Sequence, residues 1–239
     1  MRQQMNAEKT LVIFDCDGTL VDSQQMICAA MQNAFADHDL SCPPREHLLS
    51  IVGLSLTQAF ERLGNGAPDF PVAGLVERYK AAFFSLRQSE TYVEPLYPGA
   101  QSAIEWLSTH PSVLLGIATG KSQRGVRAVL QSHGLLDRFH TIKTADDAPS
   151  KPHPGMVIAA MQEAGVEPAQ ALMIGDTSYD MTMAREAGAT AIGVSWGYHP
   201  PALLREAGAQ YLVEDYAALR SLIERLLQTP PRHLRIAGE

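Results

Sequence analysis

Short apolar runs alternate with longer amphipathic stretches over most of this chain, the pattern left by buried strands joined through crossover helices. Apolar runs at 11–14, 113–118, 139–143, 171–174, 190–194 and 211–213 predict six strands. Between them the helical period predicts helices over 122–133, 154–164 and 180–187, stopped by Gly134, Gly165 and Gly188. Further helices are expected near 98–108, 201–207 and 215–227. Strands and helices in this order build a parallel sheet, so the expected fold is α/β with a Rossmann-like core.

One stretch breaks the alternation. From Asp22 to about Glu90 there is no strand signal, only helical periodicity. Ser23 stands where it would cap a helix whose apolar residues Met26, Ile27, Ala30, Met31, Ala34 and Phe35 share a face. Pro44 opens a second helix, Ser55 caps a third, and a fourth runs over 72–86. The expected organisation is a helical domain over 22–95 inserted into a core made of 1–21 and 96–239. The two crossings carry Gly18, Pro95, Pro98 and Gly99 and are candidate hinges, and the last ten residues read as a loose tail.

Composition narrows the function. At 46% hydrophobic and 19% charged residues over 239 positions, the chain is neither a disordered segment nor a fibre. Its 19 basic and 26 acidic residues leave a net charge of −7 with no Lys or Arg run, so no nucleic-acid or membrane partner is expected. The polar start and the lack of an apolar stretch near the ~20 residues that span a bilayer point to a soluble, cytoplasmic protein. Cys16, Cys28 and Cys42 follow neither disulfide nor zinc spacing and read as reduced thiols. A small molecule is the expected partner, and nothing in the pattern fixes an oligomeric state.

The chemistry gathers at strand ends. In IFDCDGTLVDS, residues 13–23, an apolar strand runs directly into Asp15 and Asp17. Residues two apart at a strand end share a face, so both carboxylates point one way and Cys16 the other. Like charges held that close require a cation or a shared proton, although D-G is also an ordinary turn. IGDTSYD, residues 174–180, repeats the layout with Asp176 and Asp180. Parallel strands bring both pairs to one edge, and converging carboxylates suit a hard cation such as Mg²⁺. Asp180 reads equally well as a helix N-cap.

Two further strand ends suit an anion. In TGKS, Thr119 offers a hydroxyl, Gly120 a close backbone approach, and Ser122 a helix start with free amides. In SKPHP, Pro152 biases Lys151 toward extended backbone, from which its ammonium reaches the same edge.

Together the four segments resemble the four motifs of the haloacid dehalogenase superfamily of aspartyl-nucleophile hydrolases, and the helical insert resembles that superfamily's α-helical, C1-type cap. The resemblance implies a nucleophile at Asp15, a general acid/base at Asp17, and phosphate contacts from Thr119, Gly120 and Lys151. It further implies Mg²⁺ held by Asp15, the Asp17 backbone carbonyl and Asp176, with Asp180 as a direct or supporting ligand. Asp17 favours phosphoryl chemistry, because an alkoxide needs a proton to leave and a halide does not. Family members that displace halide generally lack this second aspartate. Sugar phosphomutases of the family typically carry an arginine after a Gly-x-Ser in the first cap segment, where this chain has Leu56 after Gly53-Leu54-Ser55. The chain therefore looks most like a phosphoglycolate phosphatase. The alternatives are a β-phosphoglucomutase-like phosphotransferase, a pyrophosphatase or nucleotide phosphatase, a 2-haloacid dehalogenase and, last, a non-catalytic binding protein. Arg45, His47, Arg62, Lys80 and Arg87 read first as solvated helix charges, and as contacts to a second anion only if their helices turn them inward. Trp196 either borders the site or packs, and His153 reads as a turn residue.

Overall fold

The computed structural model describes residues 9–89 and 93–228. The polar start, part of the second crossing and the tail lie outside the described residues. Six strands, β1 (Thr10–Phe14), β2 (Val113–Thr119), β3 (Thr141–Thr144), β4 (Ala171–Gly175), β5 (Thr190–Val194) and β6 (Tyr211–Val213), form one sheet. Every pairing is parallel, in the order β3-β2-β1-β4-β5-β6. This is the doubly wound Rossmann-like order, with β1 at the centre, where the order reverses.

The period of two along β1 explains its two-sided burial. Val12 and Phe14 face a core layer made with α5 (Ala100–Ser108), α6 (Gln123–Ser132) and α10 (Tyr216–Gln228). Leu11 and Ile13 face the opposite layer, built with α7 (Gly155–Ala164), α8 (Ser178–Glu186) and α9 (Pro201–Glu206). All four side chains are fully buried. None of the helices in the described residues is long and apolar enough to cross a membrane.

Between β1 and α5 the chain leaves the sheet for α1 (Gln24–Ala36), α2 (Arg45–Leu49), α3 (Leu56–Leu63) and α4 (Val72–Arg87). These helices bury a core of their own, with Met31, Phe35, Phe60 and Leu75 at its centre. The two crossings run side by side: Asp22 N donates to Pro95 O at 2.8 Å and Tyr97 N to Leu20 O at 2.9 Å.

Three local expectations are corrected. The third strand covers Thr141–Thr144, two residues later than its apolar run, because Phe139 packs into the core before pairing begins. The helix expected to start at Asp180 begins at Ser178 and is capped by Thr177; Asp180 is its third residue and completes a capping box. Ser23 precedes α1 without capping it; its hydroxyl is turned to Asp17, to which it donates, rather than presented to the α1 amides.

Candidate active site

The parallel sheet delivers four strand ends to one edge. Asp15 follows β1 directly, Thr119 closes β2, Asp176 follows β4, and the loop after β3 carries Lys151. Asp15, Lys151, Asp176 and Asp180 are each at most 1% exposed. Lys151 Nζ lies 2.8 Å from Asp15 Oδ1 and 2.6 Å from Asp180 Oδ1, so one ammonium is shared by two carboxylates. Asp180 Oδ2 accepts from the backbone N and the hydroxyl of Thr177, at 3.1 and 2.6 Å. Asp176 accepts from the Thr19 hydroxyl and from Tyr198 N, both at 2.8 Å. The Gly18 turn, at φ +87°, runs so close to Asp176 that a Cβ there would lie 2.3 Å from Oδ2.

Three buried carboxylates against one ammonium leave negative charge uncompensated. Asp15, Asp176 and Asp180 present ligand oxygens within 4.8 Å of one another. The second oxygen of Asp15 is buried with no hydrogen-bond partner among the described residues. Burial pushes the Asp15 carboxyl up to about 7 against the pull of Lys151, with Asp180 and Asp17 adding to the rise. Asp176 is raised for the same reason, burial first and then the neighbouring acids. Burial opposes the charge on Lys151 as well, but Asp15 and Asp180 outweigh it and keep the lysine protonated. Hard oxygen donors carrying excess negative charge fit a divalent cation.

Asp17 sits apart from this cluster. Its Oδ1 accepts from the Ser23 hydroxyl and lies 2.8 Å from Lys121 Nζ. Lys121 also meets Glu94 Oε1 at 2.9 Å, and Arg87 holds the other oxygen of Glu94 at 2.6 Å. A chain of alternating charge thus runs from Asp17 to the end of α4. Asp15 and Asp17 take different partners, Lys151 for Asp15 and Ser23 with Lys121 for Asp17, while the charge of Asp17 still acts on Asp15. Cys16 points into the core, as expected.

The segment 50–55 closes over the sheet edge. Ser50 O accepts from the Tyr179 hydroxyl and from His199 Nε2, each at 3.0 Å, and Ser55 N donates to Ser150 Oγ at 2.7 Å. A Cβ on Gly120 would lie 2.4 Å from Gly53 O and 2.7 Å from Leu54 O. Beneath the helices is a cavity of about 230 Å³, lined by Asp17, Gly120 and Lys121 and by Ile27, Ile51, Leu56 and Phe83.

The family model described as haloacid dehalogenase-like hydrolase matches residues 12–194, well over half of the chain. The chain belongs to that family. It is similar to the probable phosphatase IndB of Dickeya dadantii, at 34% identity over 92% of this chain and 96% of the relative. A phosphoglycolate phosphatase of Mannheimia succiniciproducens is 29% identical over 92% of this chain and its own whole length. Among solved structures, a hydrolase from Pseudomonas syringae superposes with a TM-score of 0.79 at 27% identity, covering 91% of this chain and 99% of that one. The chain is accordingly an enzyme, a phosphatase of the haloacid dehalogenase-like family.

Within this phosphatase, the expected residues Asp15, Lys151, Asp176 and Asp180 come together, Asp17 and Gly120 border the cavity, and Thr119, buried at the end of β2, accepts from Lys121 N at 3.2 Å. Arg87 and Lys80 also line the cavity, whereas Arg45 bonds Gln24 and Arg62 bonds the Tyr179 hydroxyl. His153 is exposed and accepts from Gly155 N, and Trp196 packs, donating to Thr19 O. Sequence reasoning passed over Lys121, Glu94, Thr19 and Thr177. Lys121 stood two residues after Thr119 inside a motif already singled out; Glu94 carried no signal at all.

Proposed function

We propose that the protein is a Mg²⁺-dependent phosphomonoester hydrolase of a small phosphorylated metabolite, phosphoglycolate phosphatase-like in its chemistry, working through an aspartyl-phosphate on Asp15. The observation that carries this reading is the buried group of Asp15, Asp176 and Asp180 around Lys151, with one Asp15 oxygen free of hydrogen bonds. Mg²⁺ held by Asp15, Asp176 and the Asp17 backbone carbonyl, with Asp180 supporting, supplies neutralisation of phosphate charge.

This chain's own groups do the rest. Lys151 offers its ammonium to a phosphoryl oxygen, and the Thr119 hydroxyl and the amides after β2 hold the others. Asp15 attacks phosphorus, forming one P–O bond as the bond to the alcohol breaks. Asp17, which lines the cavity and is steadied by Ser23 and Lys121, protonates the leaving alkoxide. It then takes a proton from the water that attacks the same phosphorus, releasing inorganic phosphate and restoring Asp15. The helices α1 to α4, within residues 22–95, act as a cap hinged at the two crossings, over a core of 1–21 and 96–239. The presence of Asp17 argues against halide displacement, and Leu56 against a mutase. Net charge −7 and the absence of a basic run fit a cytoplasmic enzyme working on metabolites rather than on nucleic acid or membrane.

The test is phosphate release from a panel of monoesters with and without Mg²⁺, beside an Asp15→Ala protein purified in parallel. Release that requires the metal and falls by at least about 10⁴-fold in the variant is expected. Release that survives Asp15→Ala overturns the assignment.

A further inference from the structure

The cavity beyond Asp17 is apolar where the leaving group must sit. It lies between α1, the 50–55 segment, α3 and α4, and Ile27, Met31, Ile51, Leu54, Leu56 and Phe83 form its walls. Its volume is about 230 Å³, whereas a dry apolar cavity of about 150 Å³ already accepts benzene. Of the four cations that line it, three are held by acids. Lys121 is held by Asp17 and Glu94 at 2.8 and 2.9 Å and stands 4.8 Å over the Phe83 ring. Arg87 is held by Glu94 at 2.6 Å and Lys80 by Glu77 at 3.0 Å. Arg124 stacks on the exposed Phe84 ring at the rim, 4.4 Å from its centroid.

Resting on the phosphomonoesterase reading of this site, we propose that its preferred substrate is the phosphate ester of an apolar primary alcohol, carrying an aromatic ring or a branched aliphatic group of that size. A leaving group with its own carboxylate, such as glycolate, would have to break the Lys121–Glu94 pair, draw Arg124 off the Phe84 ring at the rim, or stand unpaired against aliphatic walls. An apolar group gains by being removed from water and asks nothing of those ion pairs. Leu56 is the residue that decides between the two. It is the partly buried first residue of α3, it lines the cavity, and a cation there would turn the wall into an anion site.

The experiment compares kcat/KM for benzyl phosphate and 2-phosphoglycolate in the wild-type enzyme and in Leu56→Arg. Both substrates release a primary alcohol, so the comparison reads the cavity and not the intrinsic reactivity of the ester. The wild type should favour benzyl phosphate by at least about tenfold, and Leu56→Arg should move the ratio at least about tenfold toward phosphoglycolate. In parallel, ligand-observed NMR on the metal-free wild type should show benzyl alcohol binding where glycolate does not. A wild type that favours phosphoglycolate, or treats the two esters alike, overturns the proposal. So does a ratio that Leu56→Arg leaves unmoved. If neither ester is hydrolysed in an Asp15-dependent way, the phosphatase reading fails by itself, and the alcohol-against-glycolate binding contrast still decides the nature of the cavity. That same contrast decides if Leu56→Arg does not fold.

Discussion

At the carboxyl edge of the sheet, Asp15 and Asp180 share the Lys151 ammonium at 2.8 and 2.6 Å, and Asp176 and Asp180 draw on backbone amides and Thr hydroxyls, with one Asp15 oxygen left unpartnered among the described residues. Across the cavity, α1, α3 and α4 offer Ile27, Met31, Leu56 and Phe83, apolar side chains of which Phe83 alone has a directional contact, under the Lys121 ammonium. The first region is fixed by hydrogen-bonded strands on either side, so its charges do not reorganise when a charged substrate arrives. The second tolerates exchange of one apolar side chain for another, because burial is not directional. On the proposed function, chemistry belongs to the sheet and selection to the helices. The two can be altered separately.

The largest break comes from removing the shared cation. In Lys151→Ala the Asp15 and Asp180 carboxylates face each other with no ammonium between them, and a buried charge without its partner costs about 3–5 kcal/mol. Activity should fall by about 10³-fold or more, as when a charge-stabilising cation is lost from other phosphoryl-transfer sites. Urea unfolding and steady-state turnover measure the two losses. A variant as stable and as active as the wild type would mean that Lys151 is a bystander.

Much of the sheet edge could be read before the structure, for identifiable reasons. Asp15 stands out because an apolar run ends on it, and Asp176 because the pattern repeats. Lys151 is harder, since proline and histidine around it say turn and nothing in its own segment says burial; only the succession of four motifs brings it in. The helical side was less legible. Ile27 and Met31 were recognised as the apolar face of a helix, but periodicity does not distinguish a position facing its own core from one facing a cavity. Lys121 and Glu94 are 27 residues apart, and an ion pair across that distance leaves no periodic trace. Ser23 obeyed the capping rule in position and broke it in bonding: its hydroxyl is turned to Asp17, to which it donates, and accepts from no amide of α1.

A smaller change tests where the two regions touch. Gly120 was expected to let backbone approach a phosphate, yet here it is the carbonyls of Gly53 and Leu54 that occupy the space a Cβ would take. Gly120→Ala forces the 50–55 segment away from the sheet, and a displacement of that kind costs about 10²-fold in kcat/KM when the displaced group shapes the site. The loss should be greater for benzyl phosphate than for methyl phosphate, whose alcohol is too small to use the apolar wall. Equal losses on both esters would return Gly120 to the phosphate side of the comparison.

The smallest effect concerns the latch that holds the helices down. His199 Nδ1 accepts from Ser178 N at 3.0 Å, so its proton sits on Nε2 and goes to Ser50 O. The Tyr179 ring packs against it edge-on, with Asp180 and Arg62 the nearest charges that act on it. Burial holds the imidazole below its ordinary 6.5, with Arg62 acting the same way and the Ser50 carbonyl and Asp180 opposing. Near that pH the unfolded chain binds more protons than the folded one, so stability present above about 6.5 is lost as the pH falls. Protonation also puts a second donor against Ser178 N–H and breaks that bond, worth about 1 kcal/mol. Urea unfolding at pH 7 and pH 5 should therefore differ by about that amount more in the wild type than in His199→Gln. Hydrogen exchange of the amides around Ser50 should quicken at the lower pH in the wild type alone. If the pH dependence is the same in both proteins, the latch is not His199, and the contact between helices and sheet must rest on Tyr179 and Ser150 instead.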